Sequence, residues 1–130
     1  MIKLVNKNEL FYTEEHEWVA VLDEHTIRIG ITEFAVDQLG DIVYVELPDV
    51  EDELALEEEF ATVESVKSTS GIYAPIAGVI SNTNALLEDE PELLNESPLE
   101  AGWLVEMKTE KVVDTSNLLS LTDYDKFITE

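Results

Sequence analysis

Apolar and polar residues alternate in short runs along this chain, and turn-forming residues separate the runs. Trp18–Leu22 and Thr26–Ile31 are rich in β-branched residues, and the polar Asp23-Glu24-His25 joins them, which predicts a β-hairpin. Thr32 then precedes Glu33–Leu39, with Gly40 behind. A hydroxyl cap, an acid in the first turn and a glycine stop predict a short helix whose buried side is Phe34 and Leu39. Ile42–Leu47 is the clearest strand, ended by Pro48-Asp49. Phe60–Val66, Ile72–Pro75, Gly78–Asn82 and Trp103–Lys108 carry the same period, with Pro75 marking an edge position.

The connections are equally informative. Glu51–Glu59 places six acids around Leu54, Ala55 and Leu56, which reads as a solvated turn flanking a short strand. Ser68-Thr69-Ser70-Gly71 reads as a turn. Asn84–Leu87 opens a helical turn that Pro91 cuts off. Thr115 or Ser116 caps a short helix at Leu118-Leu119, and Thr122–Asp125 resembles a capping box opening a final helix. Many short strands with short helices towards one end predict a mainly β fold, a small sandwich or flattened barrel. Acid-rich connections after two strands of similar length suggest two sheets in a quasi-twofold arrangement.

At 130 residues the chain has the length of one domain. Its apolar content is that of a globular protein, so the formal net charge of −23 does not imply disorder. Only seven Lys and Arg are present, which argues against nucleic acid and anionic membrane surfaces as partners. Acidity of this size steers a protein towards basic sites on other proteins. There is no cysteine, so disulfides, thiol nucleophiles and cysteine metal sites are excluded. Residues 1–10 hold neither a long apolar run nor an Arg/Ser-rich stretch and read as an N-terminal extension to a single domain over 11–130. No run has transmembrane length, and a soluble, cytoplasmic protein is expected.

Between Arg28 and Lys108 a single Lys or Arg, Lys67, stands among 19 acidic residues. It lies in Val63-Glu64-Ser65-Val66-Lys67-Ser68, where strand character gives way to small polar residues. A turn there puts one amine at a hairpin tip, with Val66 anchoring the turn from below and Ser65 and Ser68 leaving space around it. The plainer role for such a lysine is to guard a strand end against edge pairing. A protonated amine is a poor nucleophile, so any acylation of it needs a dedicated enzyme.

His16, within Tyr12-Thr13-Glu14-Glu15-His16-Glu17-Trp18, is the other chemically suggestive group. Two histidines in the whole chain cannot make a histidine-rich metal site, so no metal is expected, and a packed, hydrogen-bonded role is favoured over general-base catalysis. No Ser-His-Asp pattern, phosphate-binding glycine loop or HExxH segment is present.

Several segments together resemble the glycine cleavage system H proteins, a lipoyl-carrier family. They are Tyr12–Val19, Gly30-Ile31-Thr32-Glu33-Phe34-Ala35, Leu39–Pro48, Val63–Ser68, Tyr73–Gly78, Asn95-Glu96-Ser97-Pro98 and Gly102-Trp103-Leu104. They run in order from about residue 11, and the Glu-Ser-Val-Lys block is highly specific. The resemblance implies a hybrid barrel-sandwich of the lipoyl/biotinyl-carrier type, with lipoate amide-linked to Lys67. It implies that Glu64, Ser65, Val66 and Ser68 form the attachment loop recognised by a lipoyl ligase or octanoyltransferase, and that Glu17 lies near a cleft sheltering the arm. The arm would carry an aminomethyl group from a glycine decarboxylase to an aminomethyltransferase, and dihydrolipoyl dehydrogenase would reoxidise it, the carrier itself catalysing nothing.

Three positions depart from the pattern. Gly71 stands where family members often have an acid, Glu57-Glu58-Glu59 where small residues are usual, and Leu99 where an aromatic is common. These changes leave lipoylation intact but put the sheltering cleft in question. They keep open a carrier that relays lipoyl groups to 2-oxoacid dehydrogenases. A biotinyl domain is disfavoured because Met1 and Met107 are both far from Lys67 in sequence. An enzyme built on His16 is the remaining rival.

Overall fold

The computed structural model describes residues 9–129, and two antiparallel sheets account for its strands. The elements are β1 (Phe11–Tyr12), β2 (Glu17–Asp23), β3 (Thr26–Ile31), α1 (Glu33–Leu39), β4 (Ile42–Glu46), β5 (Glu53–Leu54), β6 (Glu59–Ser65), β7 (Thr69–Tyr73), β8 (Gly78–Thr83), α2 (Leu86–Asp89), α3 (Leu93–Glu96), β9 (Val105–Lys108) and α4 (Leu121–Thr129). The larger sheet runs β1-β2-β3-β9-β8-β5 and the smaller runs β4-β6-β7. The two sheets are therefore unequal, of six strands and three.

Alternation explains the layering. Val19, Ile27, Ile29, Ile80 and Met107 of the larger sheet and Val45, Val63 and Ile72 of the smaller sheet are all buried in one core cluster. Each such side chain contributes about 1.5–3 kcal/mol of transfer free energy when fully buried. A second cluster, Leu10, Tyr12, Trp18 and Tyr124, brings α4 against β1 and β2. There the Tyr12 and Tyr124 rings stack at 4.8 Å. The proposed 1–10 extension falls mostly outside the described residues, and its last residue, Leu10, is buried in this second cluster. Among the described residues no helix is long and apolar enough to cross a membrane.

The first hairpin, α1 with its Thr32 cap, β4 and β8 fall where the pattern places them. The Thr32 hydroxyl accepts the Ala35 N–H, and the Gly40 N–H closes the helix on Val36. Four expectations need correction. Val36 is the buried residue of α1; Leu39 is half-buried and packs against the core as expected, while Phe34 is half-buried and packs its ring on His16 at 4.8 Å. Ser68–Gly71 is not a turn: β7 begins at Thr69, so the reversal is tighter and its tip is Val66-Lys67-Ser68. Leu118-Leu119 is not helical, because Tyr12 and Leu119 exchange backbone hydrogen bonds at 2.7 and 2.8 Å. The final helix is capped by Ser120, whose hydroxyl accepts the Asp123 N–H, rather than by Thr122. In each of the last three a tertiary or turn hydrogen bond overrode a local propensity. Pro75 lies just beyond β7, an edge strand of the smaller sheet.

Candidate functional site

β6 and β7 form a hairpin in which Glu64 faces Thr69 and Val63 faces Ser70. Ser65 builds its tip. The Ser65 N–H donates to the Ser68 carbonyl at 2.8 Å, its hydroxyl donates to the same oxygen, and that hydroxyl accepts the N–H groups of Lys67 and Ser68 at 3.1 and 3.0 Å. One short side chain thus holds both Lys67 and Ser68. Lys67 is exposed and, among the described residues, forms no ion pair. Arg28, by contrast, is engaged by Glu106 at 2.6 Å and lies over the Trp103 ring.

The tip is braced from outside the hairpin. The Val66 N–H donates to the Asp41 carbonyl at 3.0 Å. Asp41 in turn is held by Asn95 of α3, which donates to the Gly40 carbonyl and accepts the Ile42 N–H, both at 2.9 Å. Gly40 has φ +82°, and a Cβ built there would come within 3.2 Å of Lys67 Cε. The lysine stem therefore passes close over a glycine. Val66 does not anchor the turn from below, because its side chain is 66% exposed and only its backbone is tied down. This bracing was missed from sequence: Gly40 signalled only a helix stop, and nothing local linked Asn95 to a lysine 28 positions earlier.

Glu17 lies elsewhere. It sits on β2 and lines a cleft of about 700 Å³ between Thr13–Glu15, Tyr73–Ala77 and Asn117–Leu119. The residue is 2% exposed, and its carboxyl accepts from protein donors, the Tyr73 N–H at 2.6 Å and the Thr13 hydroxyl at 3.2 Å. Burial pushes its pKa up to about 7, against the lowering pull of the Tyr73 hydrogen bond. His16 is a packing residue: Nδ1 lies 2.8 Å from the Tyr124 hydroxyl, which also contacts Thr32 Oγ1 at 2.7 Å. Burial lowers the His16 pKa. Among the described residues no group of three or more His, Asp or Glu is placed to hold a metal ion.

The outer face of the β6–β7 hairpin holds three cross-strand pairs, Glu64 with Thr69, Thr62 with Gly71, and Glu59 with Tyr73. A Cβ built on Gly71 would lie 2.8 Å from Glu59 Oε1 and 3.2 Å from the Tyr73 hydroxyl. The space above the glycine is thus occupied by a carboxyl from the neighbouring strand.

A barrel-sandwich of two antiparallel sheets with an exposed lysine at a braced hairpin tip has the fold of the lipoyl-domain class. The chain belongs to the glycine cleavage H-protein family, whose sequence profile, described as Glycine cleavage H-protein, matches residues 10–130. It is 49% identical over 120 residues to a glycine cleavage system H protein of Listeria monocytogenes, covering 92% of this chain and 95% of the relative. It is 47% identical over 123 residues to that of Halalkalibacterium halodurans, covering 95% of each. The crystal structure of a glycine cleavage system H protein from Mycobacterium marinum superposes with a TM-score of 0.85 at 33% identity, covering 95% of this chain and 98% of that one.

Proposed function

We propose that this chain is a non-catalytic carrier bearing lipoate in amide linkage on Lys67, within a single domain over 11–130. The observation that carries this reading is the tip itself: an exposed amine with no ion pair among the described residues, on a turn tied at Ser65 and braced through Asp41. The fit to a lipoyl group is good on chemical grounds. The amine stands clear of carboxylates, and amide formation removes one positive charge without disturbing a salt bridge. A lipoyl ligase or octanoyltransferase joins the acid's carbonyl carbon to Nζ with loss of the activated leaving group. Bound lipoate supplies the sulfur to which an aminomethyl group attaches.

The arm then serves a glycine decarboxylase, an aminomethyltransferase and dihydrolipoyl dehydrogenase in turn, in the cytoplasm. What this chain contributes is presentation: a stiff support holds the tether's root, and tethering replaces diffusion by a high effective concentration at each partner. The family match favours this role over lipoyl relay to 2-oxoacid dehydrogenases.

The test is intact-mass analysis after incubation with lipoate, ATP and a lipoyl ligase. One adduct is expected, absent from Lys67→Ala. An adduct that persisted in that variant, mapping to Lys3 or Lys108, would overturn the proposal.

A further inference from the structure

Strand β4 breaks its own alternation beside the lysine tip. The register of β4 on β6 shifts between Ile42 and Tyr44, and the consecutive residues Val43 and Tyr44 are both exposed. Tyr44 stands opposite Glu64 on β6, and Glu64 opposite Thr69 on β7, the last pair in register before the turn that carries Lys67. Cross-strand partners share a face, so Tyr44, Glu64 and Thr69 form one row under the tip. Among the described residues no hydrogen bond, ion pair or ring contact engages the Tyr44 or Glu64 side chain. The fold holds a filled counterpart of this pair. The Arg28 guanidinium lies 5.0 Å from the centroid of the Trp103 ring and pairs with the Glu106 carboxylate at 2.6 Å. Tyr44 and Glu64 offer the same two groups, an aromatic face and a carboxylate, with no arginine of this chain between them.

An enzyme that acylates Lys67 must close on this row. An unmodified lysine reaches only about 6 Å from Cα to Nζ. Glu64 is three residues from it, about 10 Å at ~3.3 Å per residue, and Tyr44 lies one strand spacing of ~4.8 Å beyond. A docking footprint of ~800 Å² per partner has a radius of about 16 Å, enough to cover both. Partners met after loading work through an arm of roughly 15 Å and can stand further off. The net charge of −23 opposes a second copy of the chain on this face. The register break at Val43 obstructs strand addition to the β4 edge.

We propose that Tyr44 and Glu64 are a docking surface for the lipoyl ligase that acylates Lys67, receiving one arginine of that enzyme on the tyrosine ring and the glutamate carboxylate together. Arginine suits both groups, because its planar guanidinium stacks on an aromatic face while donating to a carboxylate. Tyr44 acts by holding the two proteins together and touches neither the amine nor the acyl group. The inference rests on the reading of Lys67 as the lipoyl attachment site.

The experiment measures initial rates of lipoyl transfer by a lipoyl ligase, with lipoate and ATP, at varied concentrations of the full unlipoylated chain. Tyr44→Ala is expected to raise KM for the chain about tenfold with kcat near the parent's. Tyr44→Phe, which keeps the ring, is expected to behave as the parent. Tyr44 is exposed, so an unchanged unfolding midpoint verifies that the fold survives. Glu64→Gln is expected to raise KM by a similar factor. A shared arginine makes the two effects non-additive, so Tyr44→Ala with Glu64→Gln should have a KM within about twofold of the worse single variant. Once lipoylated by prolonged incubation, Tyr44→Ala should serve a glycine decarboxylase at the parental KM. Ligation of Tyr44→Ala at the parental KM, a fall in its kcat alone, effects that multiply in the double variant, or a defect confined to the decarboxylase would each overturn the proposal and leave the attachment reading standing. A parent that takes no lipoate on Lys67 would overturn both.

Discussion

The Glu17 carboxyl accepts the Tyr73 N–H at 2.6 Å, so a side chain of the larger sheet terminates the last strand of the smaller one. The residue is all but fully buried and its other oxygen is met by Thr13. The contact ties the two sheets together where β7 ends, at the opposite end of the hairpin from Lys67.

This arrangement predicts a pH dependence. Burial raises the Glu17 pKa from 4.5 in the unfolded chain to about 7 in the fold. Between these values the folded state holds a proton that the unfolded state has lost. The contribution is therefore fully present below about 4.5 and is lost as pH rises through 7, amounting to about 3 kcal/mol from ~1.4 kcal/mol per pKa unit. Glu17→Gln keeps an acceptor for Tyr73 and cannot ionise. Denaturant unfolding at pH 5, 6, 7 and 8 should show the parent losing stability relative to Glu17→Gln across that range. Parallel curves would remove the buried carboxyl from the account.

Asn95→Ala removes both hydrogen bonds that hold Gly40 and Ile42. A cost of about 1–2 kcal/mol is expected, at ~0.5–1.5 per bond. The more telling effect is local. With the Asp41 carbonyl less firmly placed, the Val66 amide should exchange with solvent faster by at least about tenfold. Hydrogen exchange read residue by residue checks this, and unchanged protection at Val66 would show that the tip is held by its own turn alone.

Ser65→Ala deletes the hydroxyl that organises the tip while leaving the strands paired. Global stability should fall by only about 1 kcal/mol, whereas the rate of lipoyl transfer to Lys67 should fall several-fold. Ser65→Thr, which keeps the oxygen, should recover most of it. Parent-like transfer by Ser65→Ala would mean that the ligase imposes the turn itself.

The formal charge of −23 predicts that association with a basic decarboxylase site is steered over distance. Raising salt from about 0.05 to 0.5 M shortens the screening length several-fold and should slow association by about tenfold. A flat salt profile in stopped-flow measurements would take net charge out of the recognition.

Periodicity along the chain was enough to determine strands and turns where a local rule and the fold agree. The β2–β3 hairpin, the capped helix α1 and strand β4 follow from β-branched runs, a Thr cap and a glycine stop. The candidate lysine was legible for a simpler reason, since a lone cation among 19 acids inside a specific motif is a one-dimensional signal.

Tertiary structure alone decided how that lysine is supported. The Asn95 side-chain amide reaches the backbone of Gly40 and Ile42, and the Val66 N–H reaches the Asp41 carbonyl; the partner groups are backbone, which every residue possesses, so no side-chain pattern announces the contacts. Gly71 read from sequence as a lost acid. Register pairing places Glu59 over it from the neighbouring strand, because cross-strand partners share a face however far apart they lie in the chain. Alternation, cap residues and a glycine stop fix the β2–β3 hairpin, α1 and β4. Which polar groups face one another is settled by strand register and by the closing of two sheets on one core.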